Sequence, residues 1–373
     1  MPVRCLQGRV GSAPDAACSA TEVFRVSPAL LYTDRLKAQH NPLIDQVRSR
    51  DPRALARAIS AVENRAPGWS DLLKALFPHT GKARVIGLTG APGAGKSTLV
   101  DQLAKHYRKT KNPHPVLQSR KDKGGATAFD ENHTVGIIAV DPTSPYTGGA
   151  ILGDRIRMQD HFADPGIYIR SMATRGSLGG LARTTADVAS VLDASGRDVI
   201  LIETVGVGQD EVEIVRLADI TIVILVPGMG DDVQTIKAGI MEIADIFVIN
   251  KSDREGAERV EREIRALQSL ATRHDGWTPP IVKTVASEGK GVVELAAAVR
   301  EYESYLQKEN RALTKSTENW QERLVQMLRD AMLEKARSAM SDGNLARLAQ
   351  EVAEHKRDPY TLVEEIAGKA GRV

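Results

Sequence analysis

From Arg84 onward, short runs of β-branched and aliphatic residues alternate with stretches whose apolar residues recur every three or four positions. The runs are 85–89, 135–140, 167–169, 199–202, 220–226, 246–249 and 281–284. Near-continuous apolar strands separated by helices specify an α/β fold over 83–310, a doubly wound and mostly parallel sheet covered on both faces. In such a sheet ligands bind at the carboxyl ends of the strands.

The flanks carry a different pattern. Asp51-Pro52 reads as a helix N-cap followed by proline at the first helical position, and Leu55, Ile59 and Val62 follow at helical spacing. Residues 35–82 are therefore expected to form an N-terminal helical extension, whereas 1–34 have no defined pattern. Residues 109–133 mix prolines, glycines and charges without periodicity and read as a mobile surface insertion. Beyond 310 the chain turns helical, with Trp320, Leu324, Met327, Leu328 and Ala331 on one stripe and shorter helical stretches at 343–354 and 360–369. A helix packed on its own domain and an oligomerisation arm are the two readings of 311–373.

Composition narrows the class. The 373 residues are 42% hydrophobic, enough for a large core, and 50 basic against 48 acidic side chains leave a formal charge of +2. No basic run interleaved with aromatics occurs, so nucleic acid is not an expected partner. No apolar run approaches the roughly 20 residues of a membrane span. Cys5 and Cys18 form neither a disulfide framework nor a metal motif, which fits a reducing, cytoplasmic setting, or the mitochondrial matrix for a eukaryotic source. Arg4, Arg9 and Arg25 faintly suggest a transit peptide, but no amphipathic pattern accompanies them, and a loose start is the preferred reading.

Chemistry enters after the first strand. Gly90, Ala91, Pro92, Gly93, Ala94, Gly95, Lys96 and Ser97 fit G-x-x-x-x-G-K-[ST] in full, and a helix-like stretch opens at Thr98. Backbone amides of such a loop close around phosphates, Lys96 reaches the β- and γ-phosphates, and the Ser97 hydroxyl is offered to Mg²⁺. Asn250-Lys251-Ser252-Asp253 follows the strand at 246–249. The Asp253 carboxylate can accept from both the ring N–H and the exocyclic amine of guanine, a pair of donors that adenine lacks, so the expected ligands are GTP and GDP. Asn250 would tie this loop to the phosphate loop, Lys251 would lie along the base, and Val285, Ala286 and Ser287 sit where a backbone amide would meet guanine O6.

Two further segments stand on the metal side. Glu203 ends an apolar strand and Gly206 follows three residues later, the place for an acid acting on Mg²⁺ directly or through water. The Asp141–Asp160 segment, with Asp154 inside it, is rich in hydroxyls, proline and glycine, as a γ-phosphate-ordered switch would be; Asp154 as a helix N-cap is the plainer reading. Val207 occupies the position of the water-orienting glutamine of Ras-type enzymes, so unassisted hydrolysis should be slow, and Gln209 could serve only after rearrangement.

The strings from Asp141 to Met158, Glu203 to Gln209 and Gly239 to Asp245 resemble the MeaB (formerly ArgK) family of methylmalonyl-CoA mutase-associated GTPases, with the match running from about residue 40 to 310. The resemblance implies a P-loop GTPase of the metallochaperone-like branch, a homodimer held by C-terminal helices, acting as chaperone of an adenosylcobalamin-dependent acyl-CoA mutase by gating cofactor loading and protecting the mutase. It places metal and switch positions on Ser97, Asp141, Asp154 and Glu203, and guanine contacts on Asn250, Lys251 and Asp253. It also makes 228–237 a mobile loop that communicates with the mutase, with Gln234 and Lys237 as contacts. The insertion 109–133 departs from the family pattern, as does Val285-Ala286-Ser287 where Ser-Ala-Leu is usual. Two competing readings are a metal-delivery maturation GTPase, which would carry Cys/His ligands that are scattered here, and a P-loop kinase, which would need an acceptor pocket and a base.

Overall fold

A computed structural model describes residues 42–110, 132–141, 161, 163–173, 180–204, 217–228, 243–270, 275–308, 311–338 and 344–370. Seven strands, all parallel, form one sheet: β1 Arg84–Gly90, β2 Val135–Asp141, β3 Ile167–Ala173, β4 Val199–Glu203, β5 Ile220–Leu225, β6 Ile246–Asn250 and β7 Ile281–Thr284, in the order β3-β2-β4-β1-β5-β6-β7. Each apolar run read from the sequence is one of these strands. β1 lies at the centre, and the chain winds to one side as far as β3 before crossing to β5–β7 on the other. The loop after β1 therefore opens at the crevice where the strand order reverses.

The helices follow from the two-residue period of the strands. In β4, Val199 and Leu201 join a core with α4 (Lys96–Lys109) and α7 (Val292–Gln307), while Ile200 and Ile202 face the opposite layer. That layer contains α5 (Gly180–Ala194) and the N-terminal helices α1 (Pro42–Arg48), α2 (Pro52–Glu63) and α3 (Trp69–Leu76). On the same face, α6 (Ala257–Leu270) covers β5 and β6 through Val260 and Ile264. The extension is part of the core: Leu55 and Ile59 of α2 are fully buried, each worth about 1.5–3 kcal/mol of apolar burial. Asp51 caps α2 as its sequence position suggests, accepting from the Ala54 amide at 2.6 Å. The segment between α3 and β1 is fixed from α5, where the Asp193 carboxylate accepts from the amides of Gly81, Lys82 and Ala83.

The proposed insertion needs a boundary correction. Lys109 still belongs to α4, which Thr110 ends by bonding the His106 carbonyl, and His133 is buried beside Arg108. Residues 111–131, like 1–41, lie outside the described residues.

At the C-terminus α8 (Arg311–Ser338), α9 (Asn344–Ala353) and α10 (Pro359–Ala370) realise the expected helices. Lys315 anchors α8 to the amino ends of β5 and β6, with Nζ 2.7 Å from Asp245 Oδ2, 2.8 Å from the Asp219 carbonyl and 3.0 Å from Tyr302 Oη. Further along, Arg323 pairs with Asp187 and Arg183 with Asp330, both at 3.0 Å, so α8 runs beside α5. The expected stripe is divided: Trp320 packs edge-on against Phe77 and Met327 is half-buried, whereas Leu324, Leu328 and Met332 are exposed at successive helical turns.

Candidate nucleotide site

The site is built at the carboxyl ends of β1, β4 and β6. β1 delivers Gly90 against β5, where the register pairs it with Ile224; a side chain at Gly90 would collide with the Ile224 carbonyl, and its φ of +148° suits glycine alone. Five residues on, Gly95 turns the chain at φ +89° and opens α4, whose first intrahelical bond runs from the Leu99 amide to the Gly95 carbonyl at 3.0 Å. The amides of Lys96, Ser97 and Thr98 thus stand at a helix N-terminus, where the backbone favours an anion. Ala91 through Ala94 form the intervening turn, with Pro92 and Gly93 exposed and Ala94 buried.

Lys96 is more enclosed than a side chain reaching into an open site. It is 6% exposed, and its Nζ donates to the carbonyls of Gly90 at 2.7 Å and Ala91 at 3.0 Å. The loop thus curls around its own ammonium, which fixes a positive charge at the centre of the cradle. Ser97 Oγ is 2.5 Å from Glu203 Oε1. This contact follows from strand alternation: Val199 and Leu201 of β4 face α4, so Glu203, two residues further, emerges on the α4 side. A hydroxyl and a carboxylate, both hard oxygen donors, meet at one point beside a phosphate cradle, and that donor set fits Mg²⁺. Ladder pairing of Ala139 with Glu203 brings the end of β2, and with it the Asp141 backbone, to the same edge.

On the other flank, Asn250 ends β6 and ties three segments together. Its Nδ2 donates to the Ala94 carbonyl at 2.8 Å, and its Oδ1 accepts from Thr284 Oγ1 at 3.0 Å and from the Ala286 amide at 3.1 Å. A side chain at Gly95 would strike this amide. Lys251, held at φ +54°, places Nζ 2.8 Å from the Gly93 carbonyl, so its aliphatic stem lies between the two loops. Strain of this kind at a non-glycine residue costs about 1–3 kcal/mol and persists where the surroundings enforce it. Asp253, two residues beyond Lys251, is exposed.

The structure therefore brings together Gly90–Thr98, Glu203, Asn250, Lys251 and Val285–Ser287. Asp154, Gln209 and Lys237 lie outside the described residues, and of Asp141 only the backbone is described. Sequence reasoning did not identify Thr284, whose hydroxyl orients Asn250; a threonine ending a strand beside the expected base loop is its only signal.

Comparison with known proteins shows the family and the fold. The family described as methylmalonyl Co-A mutase-associated GTPase MeaB matches residues 55–118 and 121–341. A Pyrococcus abyssi protein carrying a GTPase designation is 46% identical over 327 residues, spanning 87% of this chain and 94% of its own. The GTPase ArgK of Escherichia coli is 36% identical over 271 residues, 70% of this chain and 76% of its own. The mitochondrial methylmalonic aciduria type A homolog of Mus musculus is 37% identical over 222 residues, 58% of this chain and 48% of its own. Among solved structures, a LAO/AO transport system kinase superposes with a TM-score of 0.59 at 24% identity, covering 88% of this chain and 96% of that one, a likeness of fold.

Proposed function

The chain belongs to the MeaB family of methylmalonyl-CoA mutase-associated GTPases, and from that premise we propose that this P-loop GTPase serves an adenosylcobalamin-dependent acyl-CoA mutase as a chaperone, gating cofactor loading and protecting the mutase. The observation that supports the guanine-nucleotide part of the reading is the Asn250 junction, where one buried side chain joins the phosphate loop at Ala94 to the base-side loop at Ala286; the mutase part rests on the family match.

In this reading Lys96 and the amides of Gly93–Thr98 hold the phosphates, and Asp253 accepts two hydrogen bonds from guanine. The Ala286 amide donates to Asn250 and the Val285 amide to the Lys290 carbonyl, so in this reading the guanine O6 contact among 285–287 falls to the Ser287 amide. Ser97 and Glu203 would hold Mg²⁺, with Asp141 and Asp154 as the further metal-side acids in this reading. When bound, the ion neutralises charge developing on the phosphates. Gln209 and Lys237 are assigned to water orientation and transition-state charge, Lys237 acting only when a partner orders 228–237 together with Gln234. The exposed apolar turns of α8 are assigned to a homodimer interface formed by 311–373. Among the described residues no helix is long and apolar enough to cross a membrane.

Steady-state phosphate release with and without a purified acyl-CoA mutase tests the partner. The mutase is expected to accelerate hydrolysis, and Lys237→Ala to lose most of that acceleration while keeping basal turnover. Absence of acceleration by any cobalamin-dependent mutase of the same organism overturns the partner assignment.

A further inference from the structure

One polar flank of α4 carries a row of contacts that runs on from the Ser97–Glu203 pair. Ser97, Asp101, Lys105 and Arg108 recur at spacings of four, four and three, so they share a face of the helix. Below the Ser97–Glu203 contact, Asp101 Oδ1 lies 2.6 Å from His161 Nε2 and Oδ2 accepts from Lys105 at 2.9 Å. Two turns further, Arg108 grips Asp164 through Nε at 2.8 Å and Nη2 at 3.0 Å, and donates to the His133 carbonyl at 2.9 Å.

The two ties do different work. His161 and Asp164 belong to the turn that enters β3, closed by the Asp164 amide on the His161 carbonyl and by the Ile167 amide on the Asp164 carbonyl, both at 3.0 Å. The bidentate Arg108–Asp164 pair already fastens this turn to α4. The second tie is nearer the site and more deeply enclosed: His161 is 4% exposed. Burial opposes the charge of Asp101, yet hydrogen bonds from His161 and Lys105 hold its pKa below the ordinary carboxylate value. A buried ionisable pair contributes little net stability over an apolar one, so its use here fits orientation better than cohesion. Its location supplies the object. The chain leaves β2 at Asp141 and comes back at His161, fastened one helical turn from Ser97.

We propose that His161 and Asp101 are positioning residues for the magnesium side of the nucleotide site, fixing where the chain returning from Asp141 meets the helix that carries Ser97. Neither residue is assigned a contact with the nucleotide. The proposal rests on the guanine-nucleotide reading above and adds two residues to it. Outer residues that orient metal ligands typically change metal affinity 10–100-fold when removed.

The test is a Mg²⁺ titration of fluorescent GDP binding to the full chain, with thermal unfolding in parallel, for the wild type, His161→Phe and His161→Gln. His161→Phe keeps a ring and loses the donor, whereas His161→Gln retains an Nε2 that can reach Asp101. The Mg²⁺ concentration for half-maximal tightening of GDP is expected to rise about tenfold in His161→Phe. GDP affinity in the presence of a chelator should stay within about twofold of wild type, and His161→Gln should recover most of the Mg²⁺ response. A His161→Phe protein with the wild-type Mg²⁺ requirement overturns the proposal. So does one whose chelator-phase GDP affinity and melting temperature fall together, which makes the pair a structural tie. A wild type that binds no GDP instead overturns the functional reading itself.

Discussion

The phosphate loop and the C-terminal helix α8 are completed by opposite means. In the loop, polar groups find partners within the chain: Lys96 on the carbonyls of Gly90 and Ala91, Ser97 on Glu203, and Asn250 on Ala94, Thr284 and Ala286. In α8 the polar groups are paired on the side facing the domain, through Lys315, Arg323 and Asp330, while Leu324, Leu328 and Met332 face outward. A cradle whose own dipoles are already oriented suits a small charged ligand, because little reorganisation accompanies binding. An exposed apolar stripe on a paired helix suits a macromolecular surface. These regions should therefore respond to different substitutions and different readouts.

The largest effect on folding is expected at the α8 anchor. Asp245 has a side chain 2% exposed, and Lys315→Met leaves it without the ammonium 2.7 Å away. Breaking a buried pair by removing one partner costs about 3–5 kcal/mol, so denaturant unfolding should show a loss of about 3 kcal/mol, with guanine-nucleotide affinity per folded molecule unchanged. It follows that excising 311–373 is a poor test of the arm, since it also strips this cover. The converse expectation holds for the loop: Lys96→Ala should weaken GDP binding by about 1.5–3 kcal/mol, the value of a charged hydrogen bond, measured by calorimetry. A matching loss of thermal stability without nucleotide would show that the loop carbonyls depend on the ammonium for folding, and the contrast between the regions would blur.

The smallest effect on folding belongs to the stripe. Leu324→Glu with Leu328→Glu should change monomer stability by no more than about 0.5 kcal/mol, as exposed positions do, yet convert a dimer into a monomer by light scattering. A wild type that is monomeric at all concentrations would remove the interface assignment.

Much of this architecture is legible in the sequence because periodic signals carry it. Seven apolar runs gave seven strands, and Gly90–Ser97 and Asn250–Asp253 fall at strand ends where ligands of parallel sheets bind. Glu203 faces α4 for the same reason, the two-residue period of β4. What escaped notice is aperiodic. Asp101 and His161 are 60 residues apart, Lys315 and Asp245 are 70 apart, and Thr284 and Asn250 are 34 apart. A lone polar residue on an amphipathic helix reads as solvated surface until tertiary packing brings its partner. The insertion boundary misled because charged Lys109 resembles the residues after it, although Tyr107 is still buried on α4.

The most direct test of the central claim, that this framework reads guanine through Asp253, is calorimetric titration of GDP, ADP and xanthosine diphosphate into the wild type and Asp253→Asn. The wild type is expected to bind GDP more tightly than ADP by at least about tenfold, the lower end of a charged hydrogen bond's value. Asp253→Asn should shift preference to the xanthosine nucleotide, whose ring-edge carbonyl accepts from the new amide. Equal wild-type affinities for GDP and ADP, or an Asp253→Asn protein that keeps the wild-type preference for GDP, would contradict it.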